Sequence, residues 1–264
     1  MEGNLRKMKV SCNTNSIDYS LKLGDASILM NEQIGKNIKI SFDGKINCVV
    51  CGRLIKKVVG QGFCYPCFTK SAENSDCIIR PELCRGHLGE GRDPAWEQEN
   101  HVQPHVVYLA NSSGLKVGVT RSSQIPTRWI DQGASSAIIL AETENRYLAG
   151  TIEVELKEHF ADKTDWRKML KNETLFIDLV KEKEEAEFLL PIHLSGYFSN
   201  NNTLYNFNFP VLKYPSKITS MGLEKNPVIE GVFNGIKGQY LYIGDSGVIN
   251  IRNHSGYFVN IEFN

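Results

Sequence analysis

Apolar positions alternate in short runs near both ends of this chain, and recur at helical spacing only in its middle. Leu21, Leu23, residues 28–30 and then Ile38, Ile40 and Phe42 read as strands. Asp43-Gly44 predicts a tight hairpin turn, after which the strand pattern runs on into Cys48. Over residues 71–104 the periodicity fades into Gly, Pro and charge, which predicts an irregular connector held by something other than a core. His105-Val-Val-Tyr108-Leu is β-rich, Asn111-Ser-Ser-Gly114 is a turn, and residues 115–120 form the next strand. Pro126 and Thr127 precede a helix start at Arg128-Trp129-Ile130. Residues 137–141 are a third apolar run. Leu148, Ile152, Leu156 and Phe160 then recur every four residues, so 146–160 reads as a helix with Glu153 one position from its buried stripe. A further helix is expected over 171–190, stopped at Pro191. Tyr205, Phe207 and Phe209 alternate as in a half-buried strand within 203–212. Residues 228–233, 239–243, 248–251 and 257–263 are strand-like, with Asp245-Ser246-Gly247 as a hairpin loop.

The elements predict an α+β protein. A β segment covers 1–46, a cysteine region and connector 47–104, an α/β core 105–190 and a β-rich region 191–264. The two chain ends together are expected to form one β unit. With 264 residues, 41% hydrophobic and 23% charged, the chain can bury a sizeable core. No run approaches the ~18 apolar residues that cross a bilayer. The basic start is not followed by an apolar stretch and cleavage site, so no membrane partner is expected and a cytoplasmic location is the default. Net charge is zero but unevenly spread: residues 1–70 hold 11 Lys+Arg against 5 Asp+Glu. A basic lobe suits a nucleic-acid partner, DNA or RNA, and equally suits a solvated surface.

The cysteines sharpen this. Cys48-Val-Val-Cys51 and Cys64-Tyr-Pro-Cys67 are two CxxC knuckles, each able to span one edge of a metal tetrahedron. In a chain without a secretory signal this reads as a structural four-cysteine zinc site rather than disulfides. Such a closed site holds a fold and leaves no position for chemistry. Cys77, Cys84, His87 and His101 form a second, looser set that could complete a mixed zinc tetrahedron. The other reading is ordinary buried thiols and surface histidines.

Residues 105–156 resemble the GIY-YIG nuclease superfamily. Val106-Val-Tyr108 matches the first signature strand and Lys116-Val-Gly118 the second. Arg128 matches the helix arginine, and Glu153, with Leu156, the metal glutamate. The chain as a whole is similar to an uncharacterised bacterial family, domain-of-unknown-function family 2797. The likeness rests on Gly62-Phe-Cys-Tyr-Pro-Cys-Phe68, His105-Val-Val-Tyr-Leu-Ala110, Lys116-Val-Gly-Val-Thr120, Arg128-Trp-Ile-Asp-Gln-Gly-Ala134 and Gly235-Ile-Lys-Gly-Gln-Tyr-Leu241. Lys116 stands where the second signature strand has tyrosine, a change some GIY-YIG branches share. Cysteines that the uncharacterised family carries near Gly91 and His101 are missing.

The GIY-YIG resemblance implies metal-dependent phosphodiester hydrolysis. Glu153 would hold Mg2+ or Mn2+, Arg128 would clamp the phosphate, and Tyr108 would orient or deprotonate water. Lys116 would assist the phenol, with His105 as the alternative base, and Gly118 would admit the substrate backbone. Two other classes fit the same residues: a module that binds DNA or RNA without cutting, and a protein-interaction scaffold on its aromatic C-terminal strands.

Overall fold

Ile38 and Ile40 are fully buried in an 11-residue strand, Asn37–Asn47. In this computed structural model, which describes residues 1–13, 16–160 and 164–264, that strand organises a large sheet. Val228–Lys237 and Tyr257–Phe263 flank it, both antiparallel. The sheet continues through Tyr240–Ile243, Gly247–Asn250 and Thr219–Met221 on one side and ends at Glu2–Asn4 on the other. Segments from both ends of the sequence therefore share one sheet, and the turn at 244–246 joins an antiparallel pair as its Asp-Ser-Gly predicts.

Asp43-Gly44 is not a hairpin. The strand passes straight through it, and the register opposite shifts between Tyr257 and Val259. The extra residues bulge: Asp43 Oδ1 accepts a hydrogen bond from the Lys45 amide at 3.1 Å, and Gly44 takes a φ of +87°. A bulge uses the same turn chemistry, and pairing on both sides of the strand decides in its favour. A separate three-stranded sheet of Lys9–Asn13, Ser16–Leu23 and Ala26–Leu29 buries Ile17, Tyr19, Leu21 and Leu23.

These strands belong to one compact unit, made of Met1–Phe68, Leu170–Asn172 and Asn208–Asn264. The second unit comprises Thr69–Met169 and Glu173–Phe207. Its antiparallel sheet runs Tyr205–Asn206, Ser136–Thr143, His105–Asn111, Leu115–Arg121. His105–Asn111 is buried at every position, so both faces of the sheet are covered. On one face Val107, Leu109, Val117 and Val119 cluster with Ile152 and Leu156 of helix Arg146–Lys157 and with Leu179 and Ala186 of helix Leu179–Leu189. On the other, the Tyr108 ring meets Trp129 edge-on at 5.8 Å, and Trp129 packs on Tyr205 and Phe207.

Several predicted elements differ in extent, and the helix expected over 146–160 ends at Lys157. The helix expected from 171 begins only at Leu179, because the Asp178 side chain accepts from the amides of Val180 and Lys181 and fixes the first turn there. Of the 203–212 strand, only Tyr205–Asn206 pairs. The connector of 71–104 is built from short 3-10 turns and ends in a helix, Pro94–His101, which Asp93 caps and Pro94 opens. The chain is thus a mixed α+β protein.

Candidate functional site

Three polar clusters stand out, and the first is the paired knuckles. Cys48 follows directly on the long central strand, and Cys64 precedes the short helix Tyr65–Lys70 that carries Cys67. The sulfurs of Cys48, Cys51, Cys64 and Cys67 all lie within 4.8 Å of one another. Cys51 Sγ and Cys64 Sγ are 3.8 Å apart. Thiolates ~2.3 Å from a tetrahedral zinc have edges of ~3.8 Å, so the spacing fits that ion. Burial raises the Cys48 thiol, but amides of Cys51, Cys64 and Val50 directed at it outweigh burial and bring it down to about 6. A thiolate is the form a metal takes.

The second cluster lies in the other unit. Cys77, Cys84, Glu97 and His101 are all buried, with ligand atoms within 4.8 Å of one another. Glu97 and His101 are four apart on helix Pro94–His101 and so share a face. His87 lies outside this group: its ring stacks on Tyr147 at 4.6 Å. The sequence offered a signal for Glu97, a Glu-x-x-x-His spacing behind an Asp-Pro helix start.

The third cluster gathers around Gln132. Its Oε1 accepts hydrogen bonds from the Tyr108 hydroxyl at 2.9 Å and from Lys116 Nζ at 2.6 Å. Burial pushes the Tyr108 phenol up; Arg128 is the cation that opposes this most, while Glu153 adds to it. Burial also raises the Glu153 carboxyl; Lys157 and Arg146 lower it and Glu82 raises it. Tyr108 and Lys116 thus share Gln132, and Arg128 bears on the same phenol, whereas Glu153, on the helix that covers the other face of the sheet, reaches Tyr108 only through its charge. The Arg146 guanidinium donates to the carbonyls of Cys77 and Ile78 at 2.9 and 3.0 Å.

A family model described as protein of unknown function DUF2797 matches residues 35–259. This chain belongs to the DUF2797 family. No curated protein and no solved structure matches it.

In this DUF2797 chain two expectations change with the geometry. Gly118 does not open the strand to a substrate: a Cβ there would lie 2.6 Å from the Tyr108 hydroxyl oxygen, so the glycine makes room for the phenol across the strand pair. His105 lies three positions before Tyr108 and alternates to the opposite face. Its Nδ1 is 2.7 Å from the Gln103 carbonyl, and its Nε2 has no hydrogen-bond partner among the described residues. Gln132, Arg146 and Glu82 went unread in the sequence. Gln132 ends a short helix and Glu82 sits in a turn, where no period is written, and Arg146 opens its helix outside the apolar stripe.

Proposed function

We propose that this protein binds nucleic acid and cleaves phosphodiesters with Tyr108, Arg128 and Glu153 of a GIY-YIG-like core, the four-cysteine zinc site holding the fold of the other unit. The observation that supports this reading is the pair of hydrogen bonds from Tyr108 and Lys116 to Gln132, with Arg128 beside the Tyr108 phenol and the Glu153 charge felt there. Arg128 is only partly buried and can reach the non-bridging oxygens of a phosphate. Tyr108 keeps its proton at neutral pH and donates it to Gln132, while its oxygen accepts from Arg128 and keeps one lone pair to orient a water. Lys116, bonded to the same amide oxygen, fixes Gln132 in place. Glu153 would hold Mg2+ or Mn2+. The fit rests on its low-exposure carboxylate, on Glu82 near enough to raise it, and on the buried Glu82 Oε2 that has no hydrogen-bond partner among the described residues. A divalent cation there would supply charge stabilisation for the leaving oxygen.

The nucleic-acid partner is supported by the zinc-bearing segment. Arg53, Lys56 and Lys57 are exposed there, beside Leu54 and Tyr65 at 67% and 70% exposure. Cations with an exposed aromatic suit backbone contact and base stacking. One observation favours a binder that does not cut: Lys157 Nζ stands 3.2 Å from Glu153 Oε2, where it competes with a metal ion.

The deciding assay measures nicking of plasmid and single-stranded substrates with Mg2+ or Mn2+. Glu153→Ala and Arg128→Ala are each expected to lower the rate ~10²-fold or more. Binding should weaken as salt rises. Salt-sensitive binding without metal-dependent cleavage leaves the non-cutting module; absence of both leaves a scaffold.

A further inference from the structure

We infer that Cys77, Cys84, Glu97 and His101 form a second zinc site, of two-thiolate, imidazole and carboxylate type, that clamps the 75–88 turns beside helix Arg146–Lys157. All four side chains are buried, with Glu97 and His101 at 2% and 3% exposure. His101 Nδ1 is the hub. It lies 3.7 Å from Cys77 Sγ and 3.5 Å from Cys84 Sγ, and it contacts Glu97 Oε2. A tetrahedral zinc with Zn–S of ~2.3 Å and Zn–N of ~2.05 Å has a sulfur-to-nitrogen edge of ~3.6 Å, between the two measured values.

Surrounding groups hold the ligands in place. Ser75 Oγ is 3.2 Å from Cys77 Sγ, and Trp96 meets the His101 ring edge-on at 5.1 Å. The turns at Asp76–Ile78, Pro81–Leu83 and Gly86–Leu88 bring few large side chains into the interior, since Ile78, Ile79, Leu83 and Leu88 are all exposed. A segment that buries its thiols and exposes its aliphatics needs another source of order, and a metal supplies it.

The clamp reaches the proposed phosphodiester site through two contacts. Arg146, first residue of the helix that carries Glu153, donates to the carbonyls of Cys77 and Ile78. One turn on, a Cβ at Gly150 would run into the backbone of Pro81 and Glu82, so turn and helix touch directly. The metal assignment stands whether or not that site cuts nucleic acid.

Elemental analysis and zinc-edge X-ray absorption on the intact protein test this. The expected result is two zinc ions per chain, with a mean shell of three sulfurs and one nitrogen or oxygen, the average of four thiolates and of the mixed set. Glu97→Ala and Cys84→Ser should each lower the content from two to one. Amide exchange across Arg146–Lys157 should rise at least tenfold in Cys84→Ser. One zinc per chain with a four-sulfur shell overturns the proposal. So does a full content of two in both variants, or a Cys84→Ser helix with unchanged exchange.

Discussion

At the residue scale, His105 gives the fold a defined acid limit. Burial lowers its pKa from 6.5 to about 4, so the folded chain holds it neutral where the unfolded chain takes up a proton. The contribution of His105 is therefore constant above pH 6.5 and is lost as pH falls from 6.5 towards 4, by up to about 3 kcal/mol. Urea titrations across that window should show the decline, and His105→Leu should flatten it. Lys237 acts at the other end. It is fully buried, bonded to Asn172 Oδ1 at 2.7 Å, and burial pushes its pKa from 10.5 down to about 8. The unfolded state binds the extra proton between those values, so this group's contribution to stability rises with pH from 8 to 10.5. Lys237→Met should remove that rise and leave the neutral-pH melting temperature equal or higher. Gly118→Ala should displace the Tyr108 phenol from Gln132. If cleavage occurs, it should fall with little loss of nucleic-acid binding, a split that a mere packing defect would not give.

At the element scale, helix Arg146–Lys157 was legible from Leu148, Ile152 and Leu156, because a period near 3.6 is written in apolar side chains. The capping Asn145, whose Oδ1 accepts from the Leu148 amide at 3.0 Å, sits where that period starts. What the helix touches was not legible. Gly150 looks like a weak point in a helix, and replacing such a glycine by alanine usually gains ~1 kcal/mol. Here Pro81 and Glu82 occupy the space, so Gly150→Ala should instead destabilise by about 1–3 kcal/mol, read as a melting temperature lowered by several degrees. A stabilised variant would show that the turn does not rest on the helix. The zinc knuckles were readable for a different reason: CxxC fixes two ligands within one turn, so spacing alone carries the chemistry. Glu97 needed a helix that the polar, Pro-rich connector concealed. Asp43-Gly44 misled because local turn preference is identical for a hairpin and a bulge, and only long-range pairing separates them.

At the scale of the whole molecule, no helix among the described residues is long and apolar enough to cross a membrane, and no disulfide joins the described cysteines. Metal is the candidate staple of the described fold. A strong chelator under reducing conditions should lower the melting temperature by on the order of 10 °C or more, with recovery when zinc is restored. Calorimetry with and without chelator checks this; an unchanged transition would remove metal from the account of stability. The clusters fall one in each unit, so stepwise chelation should separate the two losses.

The strand Asn37–Asn47 finally bears on how the chain is made. Its neighbours in the large sheet, Val228–Lys237 and Tyr257–Phe263, leave the ribosome about two hundred residues later. In the interval the second unit, finished by Phe207, can fold on its own schedule. The early strand meanwhile waits with Ile38 and Ile40 unpaired, a sticky β segment during translation. Its companion in that wait is the Cys48–Cys67 pair of knuckles, which can capture zinc as soon as it emerges and give the unfinished sheet its first fixed corner.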